Sequence, residues 1–263
     1  MGWNVERYGE IQQKHQFLYG NDLVKRLSEF MDISSKTILD IGCGEGTLTD
    51  TLATYAGKNG TIIGIDKDTG MIHRAASKYT HILFINDDVI EWLKKFYGKV
   101  DVIFSNAMLH WLKSYEALTS FFELCKPILS ESGYGACHFS LQDNALTAKQ
   151  FLQEHLRKYF QDDSITLSSS EYDYENVKKI IESKFVVVYQ DLIYKSPFTD
   201  DMALNFDWMI KSQPIAHYFK SKDDLSKFIK YFRQKRKETP VKVVSSQCEF
   251  IFKNKKTNNH KTV

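Results

Sequence analysis

Residues 37–49, Thr37-Ile38-Leu39-Asp40-Ile41-Gly42-Cys43-Gly44-Glu45-Gly46-Thr47-Leu48-Thr49, constrain the chain more than any other stretch. A short apolar run (Ile38, Leu39, Ile41) breaks into glycines at 42, 44 and 46, then into a mixed polar and apolar segment. The pattern reads as buried strand, tight turn and helix start. Side chains at the glycine positions would obstruct both the sharp reversal and a close approach of backbone N–H groups to a ligand. The following helix points its positive end at the same place. A purely structural strand-to-helix turn also uses glycine, so two acidic strand ends add weight: Thr61-Ile62-Ile63-Gly64-Ile65-Asp66, and Leu83-Phe84-Ile85-Asn86-Asp87-Asp88-Val89. Asp66 is placed to accept both hydroxyls of a ribose. The spacing departs from the dinucleotide fingerprint G-x-G-x-x-G, because Thr47 stands where the third glycine belongs and Gly46 comes one residue early.

Apolar strands at 36–41, 61–66, 81–86, 100–104 and 134–140 alternate with helical segments at 47–56, 69–78, around Ile90 to Phe96, and at 114–129. That alternation predicts an α/β fold with a doubly wound parallel sheet. Ser105-Asn106 closes the fourth strand on the side where such sheets bind ligands. Pro127 falls in the last turns of 114–129 and predicts a distorted helix end. Ahead of the first strand, two helical stretches are expected, Val5 to Tyr19 and a second capped by Asn21 or Asp22 with Leu23, Leu27, Phe30 and Met31 on its apolar face. After Leu141 the rhythm changes. A helix from Ala145 to Phe160, a serine-rich loop from Ser164 to Ser170 and a helix near Asn176 to Ser183 precede a strand at 184–194. Helices at 200–211 and 222–237, separated by Pro214, lead to a last strand at 241–252 and a polar tail expected to be disordered.

With 263 residues and 43% hydrophobic content the chain can bury a full core. Its net charge of +2 demands no nucleic-acid or membrane partner. No run approaches the ~18 apolar residues of a membrane span, and Met1 to Arg7 lack a signal peptide's apolar core, so a cytoplasmic location is expected. Cysteines 43, 125, 137 and 248 form no C-x-x-C pair and no metal spacing; free thiols and no metal site are expected. Cys43 reads as a small residue packed under a ligand rather than a reactive thiol, since nothing cationic adjoins it in sequence. The lysine- and arginine-rich segment 220–237 reads as a solvated face, lacking the aromatic interleaving of single-strand binders.

Asp40-Ile41-Gly42-Cys43-Gly44-Glu45-Gly46, then Asp66, then Asp88-Val89, then Ser105-Asn106-Ala107-Met108-Leu109-His110-Trp111 together resemble a class I S-adenosylmethionine-dependent methyltransferase. The four blocks fall in family order over roughly 36–140. Within that class, Trp3-Asn4 with Tyr8, Leu109-His110-Trp111 and Phe206-Asp207-Trp208-Met209 resemble the trans-aconitate, malonyl-carrier-protein and juvenile hormone acid carboxyl O-methyltransferase group. The resemblance implies a Rossmann-like, seven-stranded, mostly parallel sheet with an antiparallel last strand and a helical substrate cap. It divides a single methyltransferase domain, 1–263, into an N-terminal helical cover (1–35), a cofactor-binding core (36–140), a helical cap insertion (141–183), C-terminal strands and substrate-side helices (184–252) and a tail (253–263). S-adenosyl-L-methionine is the implied cofactor and S-adenosyl-L-homocysteine its product. The implied contacts are Tyr8, Asp40, Gly42, Cys43, Gly44 and Gly46 toward the methionine end, Asp66 and Lys67 at the ribose, Asp88 and Val89 at the adenine, and Asn106 at the fourth strand's end. Asp87 is an alternative cap for the helix after the third strand.

In the carboxyl methyltransferases a tryptophan indole and a glutamine hold the substrate carboxylate. Trp111 matches the first; His15 falls at the second position in a gapless reading, flanked by Gln16, and a solvated helix face is the other reading of both. A carboxylate is ionised at pH 7 and needs no base, whereas an amine or alcohol must lose a proton. Ser105 to Met108 is not the motif that holds a planar nitrogen in amino-methylating enzymes. The expected function is therefore O-methylation of a free carboxylate on a small or medium-sized organic acid, by Trp111 with Gln16 or His15. His110 is a candidate base for another acceptor, or a packing residue. A malonyl-carrier protein, an amine or carbon acceptor, and a non-catalytic S-adenosylmethionine-binding protein remain as alternatives. The sequence does not give the oligomeric state.

Overall fold

The computed structural model describes residues 10–112, 114–143, 145–167, 170–195, 215, 218–239, 241 and 244–255, with side chains from residue 16 onward and Lys195 excepted. The expected opening residues Trp3, Asn4 and Tyr8, the side chain of His15, the helix at 200–211 and most of the tail lie outside these spans.

Strands β1 (Thr37–Ile41), β2 (Thr61–Asp66), β3 (Leu83–Asn86) and β4 (Val100–Asn106) alternate with helices α2 (Thr47–Ala56), α3 (Thr69–Lys78) and α4 (Val89–Lys95). After β4 come a short 3₁₀ turn, Leu109–Trp111, then α5 (Tyr115–Ile128), β5 (Leu129–Ser140), α6 (Leu146–Phe160), α7 (Tyr174–Lys184), β6 (Phe185–Lys195), α8 (Lys222–Glu238) and β7 (Ser245–Asn254). The strands form one seven-stranded sheet in the order β3-β2-β1-β4-β5-β7-β6. β1 through β5 pair in parallel, and β7 runs antiparallel to both its neighbours. This is the doubly wound sheet that the alternation predicted, with the antiparallel last strand that the resemblance implied.

Alternation along the central strands sorts the core into two layers. Ile38, Val102, Phe104, Ala136 and Ile251 join Leu23, Val24, Leu27 and Leu52 from α1 (Glu10–Phe30) and α2 on one face. Leu39, Ile103, Phe139 and Phe250 join Leu118, Phe121 and Phe122 of α5 and Val177 and Ile181 of α7 on the other. A third cluster, with Leu152, Leu156, Phe228 and Phe232, joins α6 to α8. No helix among the described residues is long and apolar enough to cross a membrane.

Three differences from the expected boundaries matter most. β5 begins at Leu129 rather than 134, because α5 continues past Pro127 to Ile128 and delivers the chain straight into pairing with Val100. The register then shifts between Val100 and Val102, which absorbs Ser132-Gly133 inside the strand. The last strand begins at Ser245, not 241. Most consequential, the segment expected as two helices is over residues 10–30 a single one, α1, which runs through Gly20, Asn21 and Asp22. Gly20 reads as a break but marks a crossing: a Cβ there would collide with Leu48 of α2 and come within 3.0 Å of the Asn106 side chain. In an open helix, Gly→Ala stabilises by about 1 kcal/mol. Here the sign is expected to reverse, with Gly20→Ala costing about 1–3 kcal/mol in urea denaturation because Leu48 and Asn106 must move. A stabilised variant would mean that this contact is loose.

Candidate functional site

Every strand that carries a site residue ends at the same edge of the sheet. β1 and β4 are neighbours in the centre, and their connections leave to opposite sides, so a crevice opens beyond their carboxyl ends. A cleft of about 940 Å³ lies there, at the upper end of the range for small-molecule sites.

Its floor is the glycine turn. Gly42, Gly44 and Gly46 have φ of 74°, 54° and 79°, a left-handed path closed to ordinary side chains. Gly42 and Cys43 donate N–H to the Ile65 carbonyl at 2.8 and 3.0 Å, and Gly44 donates to Asp66 Oδ2 at 3.0 Å. Asp66 Oδ1 accepts from the Asp68 N–H at 2.9 Å. Each carboxylate oxygen thus receives one backbone N–H and retains a lone pair. Burial raises the Asp66 carboxyl's pKa against the pull of those hydrogen bonds.

The structure brings together Gln16, Gly42, Cys43, Gly44, Asp66, Lys67, Asp88, Val89, Asn106 and Trp111 of the expected set. Two others support the cleft from behind. Asp40 is buried beneath the turn, where its Oδ2 accepts from Thr49 Oγ1 at 2.7 Å, and burial pushes its carboxyl up to about 7. Gly46 stands at the start of α2, and a Cβ on it would press into the Phe84 ring at 2.7 Å; it packs the turn against β3 and is not a wall residue. Both were expected at the cofactor; in the structure they hold the turn and are not among the residues lining the cleft. For Cys43 the packing reading holds, since burial, then Asp40 and Asp66, raise the thiol's pKa well above its ordinary value.

The capping role expected as an alternative for Asp87 belongs to Asp88. Its Oδ1 accepts from the N–H groups of Ile90 and Glu91 at 2.9 and 3.4 Å, while Asp87 Oδ1 accepts from the Asp88 N–H. Asp88 keeps Oδ2 for a donor such as an exocyclic amine. Sequence reasoning missed Phe17, Leu48, Met71 and Leu112, which also line the cleft. Met108 sits so close over Gly42 that a Cβ there would collide with it. The available signal was the apolar pair Met108 and Leu112, spaced as one helical turn. Between them the 3₁₀ turn presents Trp111, 40% exposed, at the cleft. Ala107, entering that turn, holds φ 58°. A left-handed alanine costs about 1–2 kcal/mol, and its N–H is fastened to the His138 carbonyl at 2.8 Å.

His110 lies behind Trp111, ring centroids 5.3 Å apart. Its Nδ1 is fully buried without a hydrogen-bond partner, and burial, then the charge of Lys149, push its pKa down to about 3. Lys149 on α6 is itself lowered by burial.

The wall fits S-adenosylmethionine. A Cβ on Gly44 would meet nothing within 4 Å, so that part of the turn faces open space. Beside it stand the carboxylate of Asp66, the free oxygen of Asp88, and apolar Ile65, Met71 and Val89. Comparison with known proteins agrees. Residues 38–133 match the methyltransferase domain family. The 235L protein of Invertebrate iridescent virus 6, described as a methyltransferase, is 30% identical over 204 residues, 75% of this chain and 71% of its own length. The trans-aconitate 2-methyltransferase of Klebsiella pneumoniae is 35% identical over 92 residues, and the chain spans only 35% of that relative's length. Haemonchus contortus phosphoethanolamine N-methyltransferase 2, solved with phosphomonomethylethanolamine and S-adenosylhomocysteine, shares the fold at a TM-score of 0.56 and 15% identity, over 89% of this chain and 53% of that one.

Two outcomes follow from the carboxylates. Folded Asp40 keeps its proton to about pH 7, whereas an exposed aspartate releases it near 3.8. The folded state therefore binds more protons in that window, and this contribution to stability is lost as pH rises through it. Asp40→Asn retains an acceptor for Thr49 without ionising, so its stability relative to the natural protein should rise by roughly 2–4 kcal/mol between pH 4 and pH 8 in urea titrations. A constant difference would mean that Asp40 is ionised throughout. Asp66→Ala is expected to weaken S-adenosylhomocysteine binding by roughly 1–3 kcal/mol by calorimetry; unchanged affinity would remove Asp66 from the ribose.

Proposed function

The chain belongs to the class I S-adenosylmethionine-dependent methyltransferases, and from that premise we propose that it methylates a free carboxylate of a small or medium-sized organic acid. S-adenosylmethionine supplies a methyl on a sulfonium, open to in-line attack. The protein's task is to align an acceptor with that methyl and keep water out, and such positioning contributes much of the acceleration in displacements of this kind.

The observation that carries the reading is the state of His110. An amine or alcohol acceptor needs a base matched to neutral pH. The imidazole beside Trp111 is the side chain such a mechanism would recruit, yet it is not among the residues lining the cleft, its Nδ1 is buried without a partner, and burial lowers its pKa, so it is poorly placed to take a proton from an acceptor. A carboxylate arrives already ionised. Trp111 and Gln16 line the cleft with neutral donor groups, which orient an oxyanion without the ion pair that would blunt its nucleophilicity. Lys149, near enough to lower the His110 pKa by its charge, stands on the Trp111 side of the cleft, where a cation favours an anionic acceptor. The name of the Klebsiella relative, trans-aconitate 2-methyltransferase, is that of an enzyme acting on an organic acid.

The test is transfer of labelled methyl to small di- and tricarboxylates, fatty and isoprenoid acids, malonyl-carrier protein, and amine and phenol controls, followed by mild base. A base-labile product from an acid is expected; label only in base-stable products overturns the carboxylate reading. Cofactor binding with no labelled acceptor would favour a binding protein without this activity. On the labelled acid, Trp111→Phe should lower kcat/KM by about 10- to 100-fold, the value of a hydrogen bond to a charged group, with S-adenosylhomocysteine affinity little changed.

A further inference from the structure

A buried polar chain runs behind the cleft wall, and nothing in the transfer chemistry above uses it. His138 of β5 is 2% exposed and sits in register with Asn106 of β4 on one side and Glu249 of β7 on the other. Its ring stacks on Tyr19 of α1, centroids 4.9 Å apart and planes inclined by 21°. Nδ1 is 3.0 Å from Asn106 Oδ1, and Nε2 is 2.8 Å from Gln247 Oε1. Asn106 Nδ2 in turn donates to the Gln16 carbonyl of α1 at 3.1 Å. Asn106 and Gln16 line the cleft; His138 does not.

Donor and acceptor rules fix this chain from one end. A backbone carbonyl only accepts, so the Asn106 amide must turn its nitrogen to Gln16 and its oxygen to His138. That oxygen also only accepts, so the proton of the imidazole resides on Nδ1. The structure places Gln247 Oε1 at Nε2; turning that amide, whose two ends fill the same volume, brings its NH₂ group to the ring and satisfies a neutral imidazole. With that amide turned, one direction of hydrogen bonding runs through four groups on four elements: Gln247 to His138, His138 to Asn106, Asn106 to α1.

We propose that His138 is a positioning residue of the cofactor cleft. Its Nδ1–H locks the orientation of the Asn106 amide, and through it pins α1 at Gln16 over the cleft mouth. Without that donor, the Asn106 amide has no reason to keep its nitrogen on Gln16, and both wall residues lose their setting together. Absence of a side chain at Gly20, where a Cβ would come within 3.0 Å of the Asn106 amide, keeps that amide in place sterically. This role does not depend on which acceptor is methylated.

The experiment uses the full chain and S-adenosylhomocysteine as probe, with binding read by calorimetry and cover mobility by amide hydrogen exchange over residues 10–20. His138→Asn carries an amide N–H where Nδ1–H stood; His138→Gln carries its amide further out, toward Gln247; His138→Phe fills the volume with no donor. Expected is a loss of about tenfold in affinity, the scale of one hydrogen bond, with faster exchange over 10–20, in the Gln and Phe variants. The Asn variant should stay within about threefold of the natural protein. Asn106→Ala should lose as much as His138→Phe, and the double variant no more, as expected of groups acting in one chain. Equal losses in all three His138 variants in proportion to their melting temperatures, or additive losses in the double variant, would assign His138 to packing alone. Nitrogen NMR of the unaltered protein needs no variant: Nδ1 protonated is expected, and a ring protonated on Nε2 but not Nδ1 overturns the proposal.

Discussion

The seam between the glycine turn and the end of β2 sets the site. Three consecutive backbone N–H groups, of Gly42, Cys43 and Gly44, are taken by the Ile65 carbonyl and the Asp66 carboxylate. A turn built from left-handed residues has no ladder of its own to hold its shape, so this external fastening defines it. α2 starts from the turn, and Thr49 on α2 reaches back to the buried Asp40 carboxylate. The direction of α2, the width of the crevice and the reach of Asp66 into it all follow from one seam. Because Asp66 both fastens the turn and faces the cleft, the residue that would contact a ribose also shapes the floor beneath it.

The sheet divides its two faces by polarity as well as by helix. On the α5 and α7 side the wall is apolar, with Leu39, Ile103, Phe139, Phe250 and Phe252 meeting phenylalanines of α5. On the α1 side apolar residues give way, near the strand ends, to Asn106, His138 and Glu249, with Arg26 3.7 Å from the Glu249 carboxylate and stacked 4.4 Å over Tyr189. Buried polar groups of this kind tolerate few alternative arrangements, since each must keep a partner. α1 is therefore held in register on the sheet by hydrogen bonding and charge where apolar packing alone would allow it to slide.

How much of this was legible in the sequence depended on range. The strand–turn–helix at 37–49 declares itself because each element is written in consecutive residues, and the acids ending β2 and β3 stand one repeat apart. The continuity of α1 was hidden because Gly20 and Asn21 look like a stop when read alone; only Leu48 and Asn106, brought against that glycine by the fold, show why it is small. Asp40 and Gly46 looked like cofactor contacts because they belong to the motif, yet one lies under the turn and the other packs on β3. Asp87 was the cap expected from the sequence and Asp88 the adenine residue, but the cap is Asp88, one residue on, a phase that adjacent acids do not reveal. The network of Asn106, His138 and Gln247 spans positions 106 to 247, and no local pattern could announce it.

The position of β7 has a consequence for how the protein comes into being. It is the last strand described, yet it lies inside the sheet, and β6 meets the rest of the sheet only through it. During synthesis, β1 through β5 can pair as they emerge, but β6 has no neighbour until residues 245–254 have been made. For that interval β5 and β6 each carry an open edge of unpaired backbone groups. The antiparallel insertion therefore acts as a closing key, and the wall that carries Gln247 and Glu249 is assembled after the glycine turn is already in place.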